Sequence, residues 1–105
     1  MYLVKGKITR PNTNAAFYLV SDELVSQTVK DHWVANYKNT GKCIHVDVIT
    51  SPDNLEIETQ QFWESNQAYQ DFLSDPVLVT ELFAIRDVYW NQNGVTAVVI
   101  SEETI

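Results

Sequence analysis

Hydrophobic and polar residues alternate in the first segment of the chain, YLVKGKIT at positions 2 to 9. Successive side chains of a β-strand point to opposite faces of a sheet, so this alternation predicts a half-buried strand. Its buried face would carry Tyr2, Val4, Gly6 and Ile8, and its polar face Lys5, Lys7 and Thr9. The turn-forming residues RPNTN follow at 10 to 14. AAFYLV at 15 to 20 fits either a second strand or an early helical turn.

A helix is predicted to begin at Ser21-Asp22-Glu23, because a capping oxygen followed by acidic residues is typical of a helix N-terminus. The helix is expected to run to about Asn39, where the sequence NTG with its breaker Gly41 ends it.

Two strands are predicted in the middle of the chain, KCIHVDVIT at 42 to 50 and LEIETQQFW at 55 to 63, joined by the turn SPDN. Alternation places Cys43, His45 and Asp47 on one face of the first strand. In the second strand alternation places Gln61 and Trp63 together on one face of that strand.

The second half of the chain predicts a helix capped by Ser65, an interruption at SDP, and a new helical segment with Pro76 in its first turn. NQNG ends that segment, and VTAVVIS is predicted as the last strand. The order β, with a second strand if AAFYLV forms one, then α, β, β, α, β indicates a single α+β domain over residues 1 to 105. Its predicted architecture is a ferredoxin-like sandwich, with one antiparallel sheet and two helical segments on one face.

In the ferredoxin-like topology the first and third of these strands are neighbours. Lys5 and Lys7 would then stand across from Glu56 and Glu58, where opposite charges stabilise a strand pair modestly. His45 and Asp47 are expected on the same face, so this face is open to water or packs against a second subunit. A solvated or interfacial His45–Asp47 pair is favoured over a metal or proton-relay pair.

One stripe of the first predicted helix begins with Val25 and Val29 and continues with the polar residues His32 and Asn36. Either the two polar groups are satisfied within the core, or they line a cavity between helix and sheet. In the second case they are candidate catalytic residues, since histidine exchanges protons near neutral pH. His32→Ala would then abolish ligand binding and leave the fold intact. The candidate pocket residues around them are Trp33, Tyr37, Gln61, Trp63, Tyr69 and Phe72.

The charge balance limits the possible partners. The chain has 14 acidic and 7 basic residues, a net charge of −7. This excess argues against sequence-independent nucleic-acid binding and against docking on an anionic membrane. The N-terminus lacks signal-peptide features and no apolar run approaches spanning length, so a cytoplasmic location is expected. The single cysteine, Cys43, excludes an internal disulfide and is expected to be a buried inert thiol, and no metal-binding motif is found.

A resemblance emerges at the junction FWES, which ends a strand, and in the helical sequence NQAYQDFLSDP after it. This junction resembles that of the antibiotic-biosynthesis-monooxygenase-like proteins, as does the run from ITRP through a helix to GKC. Its specific motif is Trp63-Glu64-Ser65 followed by Tyr69 and Phe72-Leu73. The family belongs to the dimeric α/β barrel superfamily, so the resemblance implies two ferredoxin-like subunits packed sheet against sheet. The segment before the first helix, 11 to 21, is longer than is usual there.

The family contains cofactor-less oxygenases of polyketide-like phenols, haem-degrading enzymes and members without known activity. The haem-degrading branch has tryptophan where this chain has Phe72 and histidine where it has Leu82, so no cofactor is expected. In the polyketide branch the resemblance implies a pocket of Asn, Trp, Tyr and Arg, in which Asn36, Trp63 and Tyr37 or Tyr69 could take part.

The resemblance therefore implies a homodimer that binds a small apolar molecule between its sheet and helices. Two functions follow from it: a cofactor-independent monooxygenase-like enzyme with an apolar, aromatic or lipid-like substrate, or a non-catalytic ligand-binding or assembly protein. A purely structural dimer with a filled core is a third alternative. In that case Trp63 would only plug the sheet under the second helix.

Overall fold

The computed structural model describes residues 1–105. Its strands are Tyr2–Thr9 (β1), Cys43–Thr50 (β2), Glu56–Trp63 (β3) and Thr96–Thr104 (β4). Its helices are Gln27–Trp33 (α1), Asn66–Ser74 (α2), Pro76–Leu78 (α3) and Ala84–Asn93 (α4). The π-helical segments Val34–Lys38 and Val79–Phe83 extend α1 and join α3 to α4. None of these helices has both the length and the apolar character needed to span a membrane.

The four strands form one antiparallel sheet in the order β2-β3-β1-β4, with all helices packed on the same face. A βαββαβ chain with this strand order is the ferredoxin-like sandwich, so the predicted fold is confirmed. On the face away from the helices, here called the outer face, Lys7 stands opposite Glu58 as predicted. The Lys7 ammonium lies 3.5 Å from the Glu56 carboxylate, whereas Lys5 stands opposite Gln60.

Trp63 lies at the centre of the core, at the end of β3, and its side chain is fully buried. Its indole Nε1 donates a hydrogen bond to Gln61 Oε1 at 3.1 Å, which satisfies the polar atom of a buried tryptophan. Four aromatic rings surround the indole with centroid distances of 5.0 to 6.2 Å, and they belong to Trp33, Tyr37, Tyr69 and Phe72. Helices α1 and α2 are therefore both packed against the end of β3.

The predicted helix start at Ser21-Asp22-Glu23 is wrong. The first helix begins at Gln27, where the side chain of Ser26 caps it by accepting a hydrogen bond from Val29 N at 3.2 Å. Asp22 instead forms a local turn, because its carboxylate accepts from Leu24 N at 2.9 Å. Asp22 thus stabilises a turn that precedes the helix.

Residues 10 to 26 form an irregular segment, so AAFYLV is neither a strand nor a helix. Tyr18 within it has a φ of 62°, in the left-handed region. Arg10 fixes the start of the segment through hydrogen bonds to the carbonyls of Asn54 and Ala15 at 2.7 to 2.9 Å. Trp90 of α4 donates to the Phe17 carbonyl at 3.2 Å, which holds the segment against the last helix.

Cys43 lies on the helix-covered face of the sheet. The prediction that it shares a face with His45 and Asp47 is therefore wrong. The register of β2 against β3 shifts between Cys43 and His45, which pair with Trp63 and Phe62. The residue inserted by this irregularity changes the alternation, so Cys43 points into the core while His45 and Asp47 point to the outer face.

Candidate functional site

A cavity of about 790 Å³ lies between the helix-covered face of the sheet and the helices. Its floor comes from all four strands and includes Val4, Gly6, Val46, Val48, Gln61 and Val99. Its walls include Trp33 of α1, Phe72 of α2 and Trp90 of α4. Val46 and Val48 stay 40% and 45% exposed, which shows that the cavity opens to solvent over β2.

Gly6 leaves space in the cavity above the centre of the sheet. A Cβ at this position would lie 3.0 Å from Thr59 Oγ1 on the neighbouring strand, closer than side-chain carbons normally approach. Any larger residue would also project into the cavity that Gly6 lines. The absence of a side chain at Gly6 therefore contributes directly to the volume of the cavity.

The strand-to-helix junction after β3 positions the aromatic wall. Ser65 caps α2 as predicted, accepting a hydrogen bond from Ala68 N at 3.1 Å. Tyr69 and Phe72 are three residues apart on α2, so they share one helix face and both contact Trp63. Burial, followed by the nearby Glu102 charge, raises the pKa of Tyr69, so the residue presents a neutral phenol ring to the cavity.

Five of the predicted pocket residues line this cavity, and they are Trp33, Gln61, Trp63, Tyr69 and Phe72. The sixth, Tyr37, stands behind the wall, where its ring stacks on Trp33 with centroids 5.5 Å apart. Gln61 accepts from Trp63 through Oε1, which leaves its amide NH₂ as a donor at the floor. The predicted pocket residues are therefore brought together, with Tyr37 as a supporting residue.

His32 does not continue the apolar stripe toward the sheet. Its Nε2 lies 2.7 Å from the Asp75 carboxylate, at the junction between α2 and α3. The hydroxyl of Tyr37 donates to the same carboxylate oxygen, Oδ2, at 2.5 Å. Oδ1 accepts from Val77 N and Leu78 N at 3.0 and 3.3 Å, which caps α3.

Asn36 is exposed and bonds back to its own helix rather than to the cavity. Its side-chain nitrogen donates to the His32 carbonyl at 2.9 Å and lies 3.3 Å from His32 Nδ1. Neither His32 nor Asn36 lines the cavity. Their catalytic role stays a prediction; in the observed contacts His32 joins α1 to the start of α3, and the side chain of Asn36 hydrogen-bonds only to His32.

The pKa of Asp75 is lowered. Partial burial of the carboxyl acts to raise this pKa, but the hydrogen bonds from Tyr37, His32 and Leu78 together outweigh burial because they favour the ionised form. Burial and the hydrogen bond to Asp75 raise the pKa of Tyr37, which therefore remains a donor at neutral pH. The cluster is thus an ionised acceptor surrounded by donors.

Arg86 is a cavity residue that the sequence patterns missed. Its guanidinium carbon lies 4.4 Å from the centroid of the Trp90 ring and 5.0 Å from that of Phe83. Burial lowers the pKa of the Arg86 guanidinium, and the charge of neighbouring Asp87 opposes this shift. Two signals were available: the resemblance implies an arginine in the pocket, and no other lysine or arginine follows Lys42 in the chain.

The remaining candidate groups lie away from the cavity. Burial raises the pKa of the Cys43 thiol to about 11, so this thiol stays protonated and a poor nucleophile at neutral pH. His45 Nε2 lies 2.6 Å from Asp47 on the outer face, where both side chains are about half exposed. No group of three or more histidine, cysteine, aspartate or glutamate side chains is arranged to hold a metal ion.

Comparison with known proteins confirms the fold. The structure is similar to that of a candidate antibiotic biosynthesis monooxygenase from Deinococcus radiodurans, with a TM-score of 0.53 and 11% identity over 100% of this chain and 92% of the other. Rv0793 from Mycobacterium tuberculosis matches with a TM-score of 0.49 and 14% identity, over 100% and 98% of the two chains. No protein-family model and no curated protein matches the sequence. The likeness shows the fold that the FWES junction implied.

His32→Ala is expected to destabilise the protein by about 1–3 kcal/mol, because it removes one partner of a largely buried hydrogen bond to Asp75. The measurement pairs chemical unfolding with binding of N-phenyl-1-naphthylamine, a neutral apolar probe that fluoresces in apolar cavities. Probe affinity should stay within about twofold, and the exposed control His45→Ala should change stability by less than about 0.5 kcal/mol. Unchanged stability with probe binding abolished would instead place His32 in the cavity, as the helical stripe indicated.

Asp75→Asn should cost stability in a pH-dependent way. A folded-state pKa below the unfolded value of about 3.9 means that the carboxylate contributes fully above that pH, and that its contribution is lost as the pH falls through the folded pKa. Urea unfolding of the wild type and of Asp75→Asn between pH 3 and 7 measures this loss. The stability difference should be constant at neutral pH and shrink on acidification below about pH 4. A difference that grew in acid would contradict the assigned contacts.

Proposed function

We propose that the protein is a homodimeric small-molecule-binding protein whose cavity between sheet and helices takes an apolar molecule. The observation that carries the proposal is the cavity itself. Its volume of about 790 Å³ lies within the range of sites for drug-sized ligands. Most of its lining is apolar, and a few polar groups, among them Gln61 and Arg86, converge on it.

The cavity favours a ligand over a filled core. Trp63, Leu78 and Leu82 are fully buried beside it, so the packed core is complete without occupying this volume. Val46 and Val48 leave apolar surface exposed at its opening. Covering apolar surface stabilises a complex by about 25 cal/mol per Å², which supplies a driving force for an apolar ligand.

The aromatic walls suit a flat ligand. Trp33, Trp63 and Phe72 meet edge-on or tilted, with centroids 5.0 to 6.1 Å apart, and present ring surfaces to the same space. Aromatic and long aliphatic molecules pack well against such surfaces. The amide NH₂ of Gln61 gives one donor that can orient an oxygen atom of the ligand.

Homodimerisation is proposed through the outer face of the sheet. This face is not covered by any helix and carries apolar side chains between its charges, including Leu3, Phe62, Ile49 and Val98. Ile49 and Val98 are 54% and 58% exposed in the single chain. A domain of 105 residues buries a small core, so a second copy on this face would add the apolar contact that the helices do not provide.

Monooxygenase chemistry is the second candidate. It is favoured by Trp63 and Tyr69 on one cavity wall and by the description of the Deinococcus radiodurans protein as a candidate monooxygenase. The cavity lining contains no histidine or carboxylate, so the geometry supports binding more directly than proton transfer. Measuring oxygen uptake with a hydroxylated anthrone as substrate distinguishes a monooxygenase from a non-catalytic binding protein. Oxidation of its CH₂ group to a carbonyl consumes one O₂, with one oxygen atom entering the product and the other leaving as water.

Val48→Trp should fill the opening of the cavity and weaken binding of N-phenyl-1-naphthylamine by about tenfold or more, because the indole occupies the volume that the probe needs. Val88→Trp is the matched control, since Val88 is 58% exposed on α4 and does not line the cavity. Fluorescence titration of both variants and the wild type measures the affinities. Equal affinities in all three would show that the probe binds elsewhere and would remove the support for this site.

Light scattering at micromolar concentration should give twice the chain mass of 12.0 kDa. Ile49→Asp should shift the protein to the monomer, because it places a charge in the proposed apolar interface, whereas Val88→Asp on α4 should leave the dimer intact. A wild-type mass of 12.0 kDa would refute the proposed interface.

A further inference from the structure

We infer that the cavity selects an amphiphilic anion: a molecule with an apolar body and one acidic oxygen group, which Arg86 recognises. The inference rests on the proposed function, because it names the class of ligand for the same cavity. It is drawn from the distribution of charge around the cavity and from the surroundings of Arg86.

The charge around the cavity is opposite to that of the whole chain. Acidic residues outnumber basic ones by 14 to 7, yet no aspartate or glutamate lines the cavity. Lys30, Lys38 and Arg86 do line it, and none of the three forms an ion pair within 4 Å. Lys7 also contributes to the lining, but its ammonium is paired with Glu56 on the outer face. The cavity is therefore a cationic site in an acidic protein.

Arg86 is held in place but its donors are not all used. Its guanidinium lies against the faces of Trp90 and Phe83, which fixes its plane beside the cavity. Its Nε is buried without a hydrogen-bond acceptor in the chain. Buried donors are nearly always satisfied, and a guanidinium fits an oxyanion through two parallel hydrogen bonds. Nη1 and Nη2 are not buried in this way and donate no hydrogen bond within the chain, so an acidic group of the ligand can accept from them and supply the missing opposite charge.

The two lysines add attraction at the side of α1. Lys30 comes from α1 and the exposed Lys38 from the π-helical segment after it, so both can lower the energy of an approaching anion. The remaining lining is largely apolar, which does not suit a polyphosphate or another multiply charged ligand. A carboxylate, sulfonate or phenolate on an aromatic or aliphatic body matches one arginine inside an apolar cavity.

The test uses two probes with the same apolar body. 8-Anilinonaphthalene-1-sulfonate carries a sulfonate, and N-phenyl-1-naphthylamine is the same anilinonaphthalene without it. Wild-type protein should bind the sulfonate about tenfold more tightly, because the neutral probe leaves the Arg86 guanidinium without an acceptor. The neutral probe alone reports whether the cavity binds apolar molecules at all.

Variants then assign this preference to Arg86. Arg86→Met removes the charge and keeps much of the side-chain length, so it should lower the ratio of the affinities for the sulfonate and the neutral probe from about tenfold to about one. Lys42→Met is the matched control, because it changes the net charge equally and Lys42 does not line the cavity. It should keep the preference.

The outcomes separate the inference from the proposed function. Equal affinity of the wild type for the two probes would overturn the inference and leave the proposed apolar cavity intact. Equal losses of the preference for the sulfonate in Arg86→Met and Lys42→Met would do the same. No binding of either probe would overturn both. The comparison of probes on the wild type needs no variant, so it decides the inference even where Arg86→Met does not fold.

Discussion

The carboxylate of Asp75 is the contact on which the arrangement of the helices depends. It accepts from His32 and Tyr37 of the first helical element and from two backbone amides at the start of α3. A largely buried carboxylate with this set of donors stays ionised and joins the first helical element to α3. Trp33 belongs to the first element and Phe72 to α2, which ends just before Asp75, and their rings meet edge-on at 5.5 Å over the cavity. The polar cluster outside the cavity thus sets the shape of its wall.

Much of the fold follows from signals that act within a few residues. Alternation in β1, the cap at Ser65 and the proline at Pro76 are each recognised from a few neighbouring residues, and each was placed correctly from the sequence. The errors arise where one sequence signal is compatible with two different local structures. Asp22 can cap a helix or close a turn, and it closes a turn. The bulged start of β2 reversed the face of Cys43, because a single inserted residue changes the parity of a strand.

Some residues of the site could be predicted from the sequence and others could not, for a related reason. Strand parity fixes which residues point to the cavity, so Gln61 and Trp63 were found. A helical stripe predicts which residues share one side of a helix, but not which neighbouring element that side contacts. His32 therefore contacts Asp75 instead of the sheet. The π-helical segment after α1, closed by Asn39 N to Val34 O, also shifts later positions away from ideal helical spacing. Arg86 belongs to no repeating pattern, and only the folded chain places it beside Trp90.

The surroundings of Arg86 are those expected of a recognition residue, as inferred above, more than of a stabilising one. Burial of an arginine without an acid costs desolvation energy, and apolar residues of similar volume often replace buried charges with no loss of stability. Contact with Trp90 and Phe83 offsets part of that cost, since cation–π contacts contribute about 0.5–2 kcal/mol. The remainder is a local instability that a bound anion would remove. Such a trade of stability for function is characteristic of binding sites, and it occurs here in a cavity whose charge opposes that of the chain.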